Sequence, residues 1–165
     1  CSSDTRIVWQ ISTLTIKSSG RASGTPLISG VRAQAMATVS ARSIESEFSF
    51  PHGSEVVSLD YRLGHLSIQV KGAEISESVV VEFIDTIGFR VLDERDLMEY
   101  WPECSTPNGW LFEITSGGWL SQEANREGSL IVSTSPEAKE YLVTGEDDCV
   151  SIICRNKPVV LRNAL

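Results

Sequence analysis

Between Val79 and Leu120 the sequence runs VVVEFIDTIGFRVLDERDLMEYWPECSTPNGWLFEITSGGWL, and this stretch holds three of the four tryptophans. Its first part alternates around Val79, Val81 and Phe83 and is rich in β-branched residues, which predicts a strand with a buried face. Asp85 to Gly88 interrupts the pattern, and Phe89 and Val91 resume it. Asp93, with Asp96 three residues on, then gives a carboxylate cap with acid in the first turn, a helix start. Leu97 and Trp101, four apart, would share a face of that short helix, and Pro102 would end it. After the turn-forming Ser105 to Gly109, Trp110, Phe112 and Ile114 alternate with Leu111, Glu113 and Thr115, a second strand with one strongly apolar face. Gly117-Gly118 reads as a turn or bulge before Trp119.

The flanking segments follow the same reading. Leu59, Tyr61 and Leu63, then Leu66, Ile68 and Val70, read as two strands joined at Gly64 or one strand bulged there. Gln122 to Ser129 reads as a polar loop, Leu130 to Val132 as a short strand and Ser135 to Glu137 as a turn or one helical turn with proline in its first position. Tyr141 to Thr144 and Cys149 to Cys154 are strands on either side of the acidic Glu146-Asp147-Asp148. Val159 to Leu161, just after Pro158, is an edge strand, since proline cannot donate to a ladder. Upstream, Ile7, Trp9 and Ile11 alternate as a strand, residues 18–30 are loop-like, and residues 32–46 have a helix-permitting composition. The expected fold is mainly β, with antiparallel sheets in a sandwich or open barrel and one or two short helices; α+β is the alternative. A single domain of 165 residues is expected, with a β-rich body over 48–165 and an N-terminal part, 1–47, of open architecture.

Charge narrows the partners. Residues 1–35 carry Arg6, Lys17, Arg21 and Arg32 against Asp4, a net of +3, so the overall −8 leaves −11 on residues 36–165. An acidic body of this kind repels nucleic acid and anionic membranes and attracts a basic protein surface; acidity that serves only solubility is the plainer reading. No apolar run approaches the roughly 20 residues of a membrane helix. The four cysteines, Cys1, Cys104, Cys149 and Cys154, form no CxxC pair. On one strand, Cys149 and Cys154 would point to opposite faces and could not bond to each other. Reduced, partly buried thiols imply a cytoplasmic protein. A chain opening Cys-Ser-Ser also resembles a lipoprotein after signal cleavage, anchored through Cys1, although no long tether follows Ser3; Met36 is a further candidate start.

The residue inventory offers little chemistry. His52 follows a proline in a loop and His65 sits on the polar side of its strand, so both should face solvent. No zinc spacing, GxSxG elbow or phosphate loop is present, and no metal or cofactor is expected. Asp93, Glu94, Asp96 and Glu99 (with Glu103), and separately Glu146, Asp147 and Asp148, form two acidic groups. Neither has a calcium-loop spacing. As a catalytic pair they would need carboxylates in distinct environments, as in glycoside hydrolysis; as caps and a solvated turn they need nothing more. Acids beside Tyr100 and Trp101 also match the mix of aromatic anchor and charge at protein interfaces.

Taken together, VVVEFIDTIGFRVLDERDL, WLFEITSGGWL and EYLVTGEDDCVSIIC resemble a group of small β-rich bacterial immunity proteins that accompany polymorphic or type VI secreted toxins. The resemblance spans residues 48–161 and its motifs are structural. It implies a non-catalytic, cytoplasmic protein that occludes a cognate toxin with a basic surface. Asp93, Glu94, Asp96, Glu99 and Trp101 are the expected contacts, with Glu146, Asp147 and Asp148 as a second patch. The alternative is a small-ligand-binding β domain with Trp110 and Trp119 lining a pocket; a hydrolase built on the acidic clusters is the third reading.

Overall fold

The computed structural model describes residues 38–73 and 78–163, all within one unit, Ala35–Leu165. The strand expected around Ile7, the loop at 18–30 and Cys1 lie outside the described residues. Nine strands are present among those described: β1 Ser40–Ser43, β2 Ser54–Arg62, β3 His65–Gly72, β4 Ser78–Ile84, β5 Thr86–Asp93, β6 Leu111–Ser116, β7 Lys139–Val143, β8 Asp148–Cys154 and β9 Val159–Arg162. Three short α-helices accompany them: α1 Trp101–Cys104, α2 Trp119–Asn125 and α3 Ile131–Thr134.

The strands form two antiparallel sheets and no closed barrel. One has the order β1-β6-β7-β8-β5 and the other β2-β3-β4-β9. Their facing sides share one core: Leu66, Ile68, Val70, Val79, Val81 and Phe83 from the four-stranded sheet meet Leu111, Tyr141, Val143, Val150, Ile152 and Cys154 from the five-stranded one. Alternation therefore does what it should in β3 and β4, sending every second side chain inward. Trp110 closes one end of this core, its ring 5.1 Å from that of Phe50 and its indole N–H donating to the Phe48 carbonyl at 3.1 Å.

The five-stranded sheet is covered on its other face as well. Val39, Leu97, Tyr100, Cys104, Phe112, Ile114, Leu142 and Cys149 make a second buried cluster there. This corrects the expectation of one apolar face on the Trp110–Thr115 segment: Leu111 serves the first core, Phe112 and Ile114 the second. Glu113, only 7% exposed, is tied down by Arg42 at 2.8 Å and Lys139 at 3.0 Å. Cys149 and Cys154 do lie on opposite faces of β8, one in each cluster, and the three described cysteines are free and buried.

Turn chemistry sets the connections. Between β2 and β3 the turn residues Leu63 and Gly64 have φ of 44° and 86°, the two left-handed positions of a type I′ hairpin. Gly64 joins two strands, and Leu63 is the fully exposed turn residue rather than the end of the Leu59–Tyr61 alternation. The chain passes between sheets at Asp85 and returns after Cys154. Those two crossings are bonded to each other, with the Arg155 N–H donating to the Asp85 carbonyl at 3.3 Å and Asn156 Nδ2 to Asp85 Oδ2 at 2.8 Å. β9 lies at the edge of its sheet, as its preceding proline predicts.

Several local expectations need correction. Asp93 caps a single 3₁₀ turn, Glu94–Leu97, and a separate helix α1 follows with Pro102 in its first turn, where proline's missing N–H is harmless. Leu97 and Trp101 therefore do not ride on one continuous helix. The first half of Gln122 to Ser129 is the end of helix α2, with a turn after it, and Leu130 to Val132 leads into α3 rather than forming a strand. Residues 40–43, within the segment of helix-permitting composition, pair with β6 as β1.

Candidate functional site

The β5–β8 register decides where the acids go. Asp93, the last residue of β5, stands opposite Asp148, the first of β8. One step further the Glu94 N–H donates to the Asp147 carbonyl at 3.0 Å. Asp93 and Glu94 are thus brought beside Asp147 and Asp148, more than fifty positions away in sequence, at one end of the five-stranded sheet.

Within it the carboxylates have different roles. Asp93 Oδ1 accepts from the Arg95 N–H at 3.0 Å and from Arg95 Nε at 2.7 Å, and Oδ2 accepts from Arg95 Nη2 at 2.5 Å. These hydrogen bonds hold the Asp93 carboxyl well below the usual carboxylate range. Asp93 is a cap and an internally matched charge. Asp96, Asp147 and Asp148 are exposed, while Glu94, Glu99 and Trp101 are half-buried.

Beside this face opens a pocket of about 290 Å³. Glu94, Trp101 and Glu146 line it, with Cys104 and Thr106 from the α1 region and Gly53 from the turn before β2. The Glu146 N–H donates to the Ser54 carbonyl at 2.9 Å, and the Ser54 hydroxyl donates to the Thr144 carbonyl at 2.7 Å. These bonds fix the β7–β8 turn against β2. Gly53 has φ of +100°, and a side chain there would press on the Glu146 carboxylate, whose Oε1 lies 2.9 Å from the position a Cβ would take. Of the expected contacts, Glu94, Trp101 and Glu146 meet in the pocket. Asp93, Asp96, Glu99, Asp147 and Asp148 lie outside its lining.

Trp110 and Trp119 do not share a pocket. Trp110 borders a shallow cleft by Phe48 and Pro51, and Trp119 borders an apolar groove of about 460 Å³ between α2, α3 and the sheet. His52 and His65 are exposed, and His65 Nε2 lies 3.6 Å from Glu82. Among the described residues no three His, Cys, Asp or Glu side chains are grouped to hold a metal ion, and no helix is long and apolar enough to cross a membrane.

Sequence reasoning overlooked one polar network. Glu140, 1% exposed, accepts from the Leu120 N–H at 2.7 Å and from the Tyr100 hydroxyl at 3.0 Å. The same hydroxyl accepts from the Trp119 N–H at 3.1 Å, and the Arg90 guanidinium sits 4.9 Å from the Trp119 ring centroid. Burial pushes the Glu140 carboxyl above its ordinary pKa, against the lowering effect of those donors. The signal available was a carboxylate directly beside the apolar run Tyr141-Leu142-Val143. The network anchors α2.

Comparison of the chain with protein-family models, with curated proteins and with solved structures gives no match.

Proposed function

We propose that this protein is a non-catalytic binding protein that neutralises a cognate bacterial toxin by covering a basic surface of it with the acidic end of the five-stranded sheet. The observation that carries the reading is the pairing of Asp93 with Asp148 and of Glu94 with Asp147, which merges both acidic segments into one face beside the half-buried Trp101. A rigid scaffold that presents several carboxylates around an aromatic anchor suits fast, electrostatically steered association with a basic partner. The toxin itself comes from the resemblance to immunity proteins, as does a cytoplasmic location.

Affinity capture of the tagged protein from its source cells, washed at two salt concentrations, tests the partner. A stoichiometric basic protein released by salt is the expected outcome, and absence of any protein partner would overturn the reading. With the partner in hand, Asp147→Lys/Asp148→Lys should slow association about tenfold and flatten its salt dependence. Unchanged rates would remove this face from the interface.

A further inference from the structure

The acidic face carries a concave feature that ordinary surface charge does not explain. The pocket of about 290 Å³ is walled by the Trp101 indole and by the carboxylates of Glu94 and Glu146, which come from different segments of the chain. Asp93 next to it is matched by Arg95, whereas neither Glu94 nor Glu146 has an ion pair among the described residues. Two carboxylates without an ion-pair partner among the described residues thus line the pocket together with Trp101, with Arg95 near enough to Glu94 to feel its charge. Cys104 also lines it, fully buried and without a hydrogen-bond partner among the described residues; burial pushes its thiol up to about 12, so it stays neutral. The rest of the lining, Gly53, Ser54, Ser105, Thr106, Thr144 and Gly145, carries no charge.

That combination selects a ligand class. An anion meets two carboxylates and is rejected. A divalent metal ion wants six or more oxygens, or a closed set of nitrogen and sulfur ligands, and no such group exists among the described residues. The volume is at the bottom of the roughly 300–1,000 Å³ of small-molecule sites, room for one long side chain. A guanidinium fits each remaining condition: it is planar, always charged, weakly hydrated, donates in several directions at once and stacks on aromatic faces.

We infer that this pocket receives one arginine side chain of the protein partner, its guanidinium between the Glu94 and Glu146 carboxylates and its plane against the Trp101 indole. The inference rests on the proposed function in one respect, that the arginine belongs to a bound protein. It assigns the pocket as the point where a diffuse charge attraction becomes a specific contact, because one desolvated arginine at the centre of an interface contributes more than several exposed pairs at its rim.

The test uses the full ¹⁵N-labelled chain and no partner. N-acetyl-arginine methylamide is titrated while the backbone amides of Glu94, Cys104, Ser105 and Glu146 and the Trp101 indole N–H are followed by NMR. The expected result is a saturable shift confined to these signals, with the citrulline and lysine counterparts binding about tenfold more weakly or not at all. Glu94→Gln/Glu146→Gln and Trp101→Leu should each weaken the arginine probe about tenfold in a spectrum that otherwise stays that of the folded protein. Shifts scattered over the acidic surface, no saturation, or equal binding of citrulline would overturn the assignment. Failure of the probe with partner capture intact rejects the pocket and leaves the acidic face standing. Probe binding with no partner captured rejects the face-level function and leaves an arginine-binding pocket.

Discussion

Asp93 and Asp148 face each other across the end of the β5–β8 ladder, two like charges in register where a sheet ordinarily places opposite ones. Arg95, bonded to both oxygens of Asp93, absorbs part of the repulsion. Selection for folding alone would favour a cation at one of the two positions. Asp148→Lys should therefore raise the thermal midpoint at low ionic strength, and the gain should shrink towards zero near 1 M salt, where the Debye length is about 3 Å. A midpoint that falls, or that rises equally at all salt concentrations, would show that the pair is not repulsive.

Glu140 and Glu113 should pull the pH dependence of stability in opposite directions. Burial raises the Glu140 pKa in the folded protein, so the folded state holds a proton that the unfolded state has released. Its contribution to stability thus declines as pH rises from the ordinary carboxylate value through the raised one. Burial also pushes Glu113 up, but hydrogen bonds from Arg42 and Lys139 outweigh it and leave the pKa lowered. That contribution is present above the unfolded pKa and is lost as pH falls through the folded one. Urea denaturation from pH 4 to pH 8 should show Glu140→Gln gaining stability relative to wild type as pH rises, and Glu113→Gln losing it. Parallel curves for either variant would contradict the assignment.

Two glycines with almost the same φ separate strain from crowding. Gly117 has φ of +77° and Gly128 +78°, but a Cβ on Gly117 would lie 2.4 Å from the Thr38 carbonyl oxygen whereas Gly128 has nothing within 4 Å. Gly128→Ala should cost about 1–2 kcal/mol, the left-handed penalty alone. Gly117→Ala should cost clearly more, because the β1–β6 edge must also shift. Equal urea midpoints for the two variants would mean that the backbone beside Gly117 yields freely.

Leu63 should be improvable. It holds φ of 44° on a hairpin turn with its side chain fully exposed, so it carries left-handed strain without burial in return. Leu63→Asn restores the Asn-Gly pair that type I′ turns favour and should add about 0.5–1 kcal/mol in denaturant titrations. A destabilised variant would require a contact for Leu63 that the folded chain does not contain.

Local signals were legible in the sequence where a short stretch decides its own structure. The β3 and β4 alternation, the Gly64 turn, the Asp93 cap and the Pro158-marked edge strand were read from neighbouring residues. Helices α2 and α3 escaped because their propensities point elsewhere: Ile131-Val132 is β-branched, and α2 is docked by Glu140, a residue outside it. The five-stranded sheet looked half-exposed because nothing in Leu111 to Ile114 tells that segments 97–104 and 39–41 will cover its second face. The acidic residues were identified individually, but their union depends on the pairing of Asp93 with Asp148, a long-range register that no local pattern encodes. Glu94, Trp101 and Glu146 become a pocket only after that pairing is made.

The two chain crossings at Asp85 and Arg155 give the sandwich a spine. There the sheets are joined covalently, twice and side by side, with the strands bonded across the joint. At the opposite end of β5 and β8, the fore-edge, the sheets are joined covalently once, by residues 44–53 running from β1 into β2, and Ser54 is hydrogen-bonded there to Thr144 and Glu146. Held by one connection against the spine's two, this end should open first, and it is the end with the carboxylates and the pocket. The Glu146 amide should therefore exchange with solvent earlier than Thr86, whose N–H is held by Gly64 beside the spine at 2.7 Å, and a ligand in the pocket would act as a clasp.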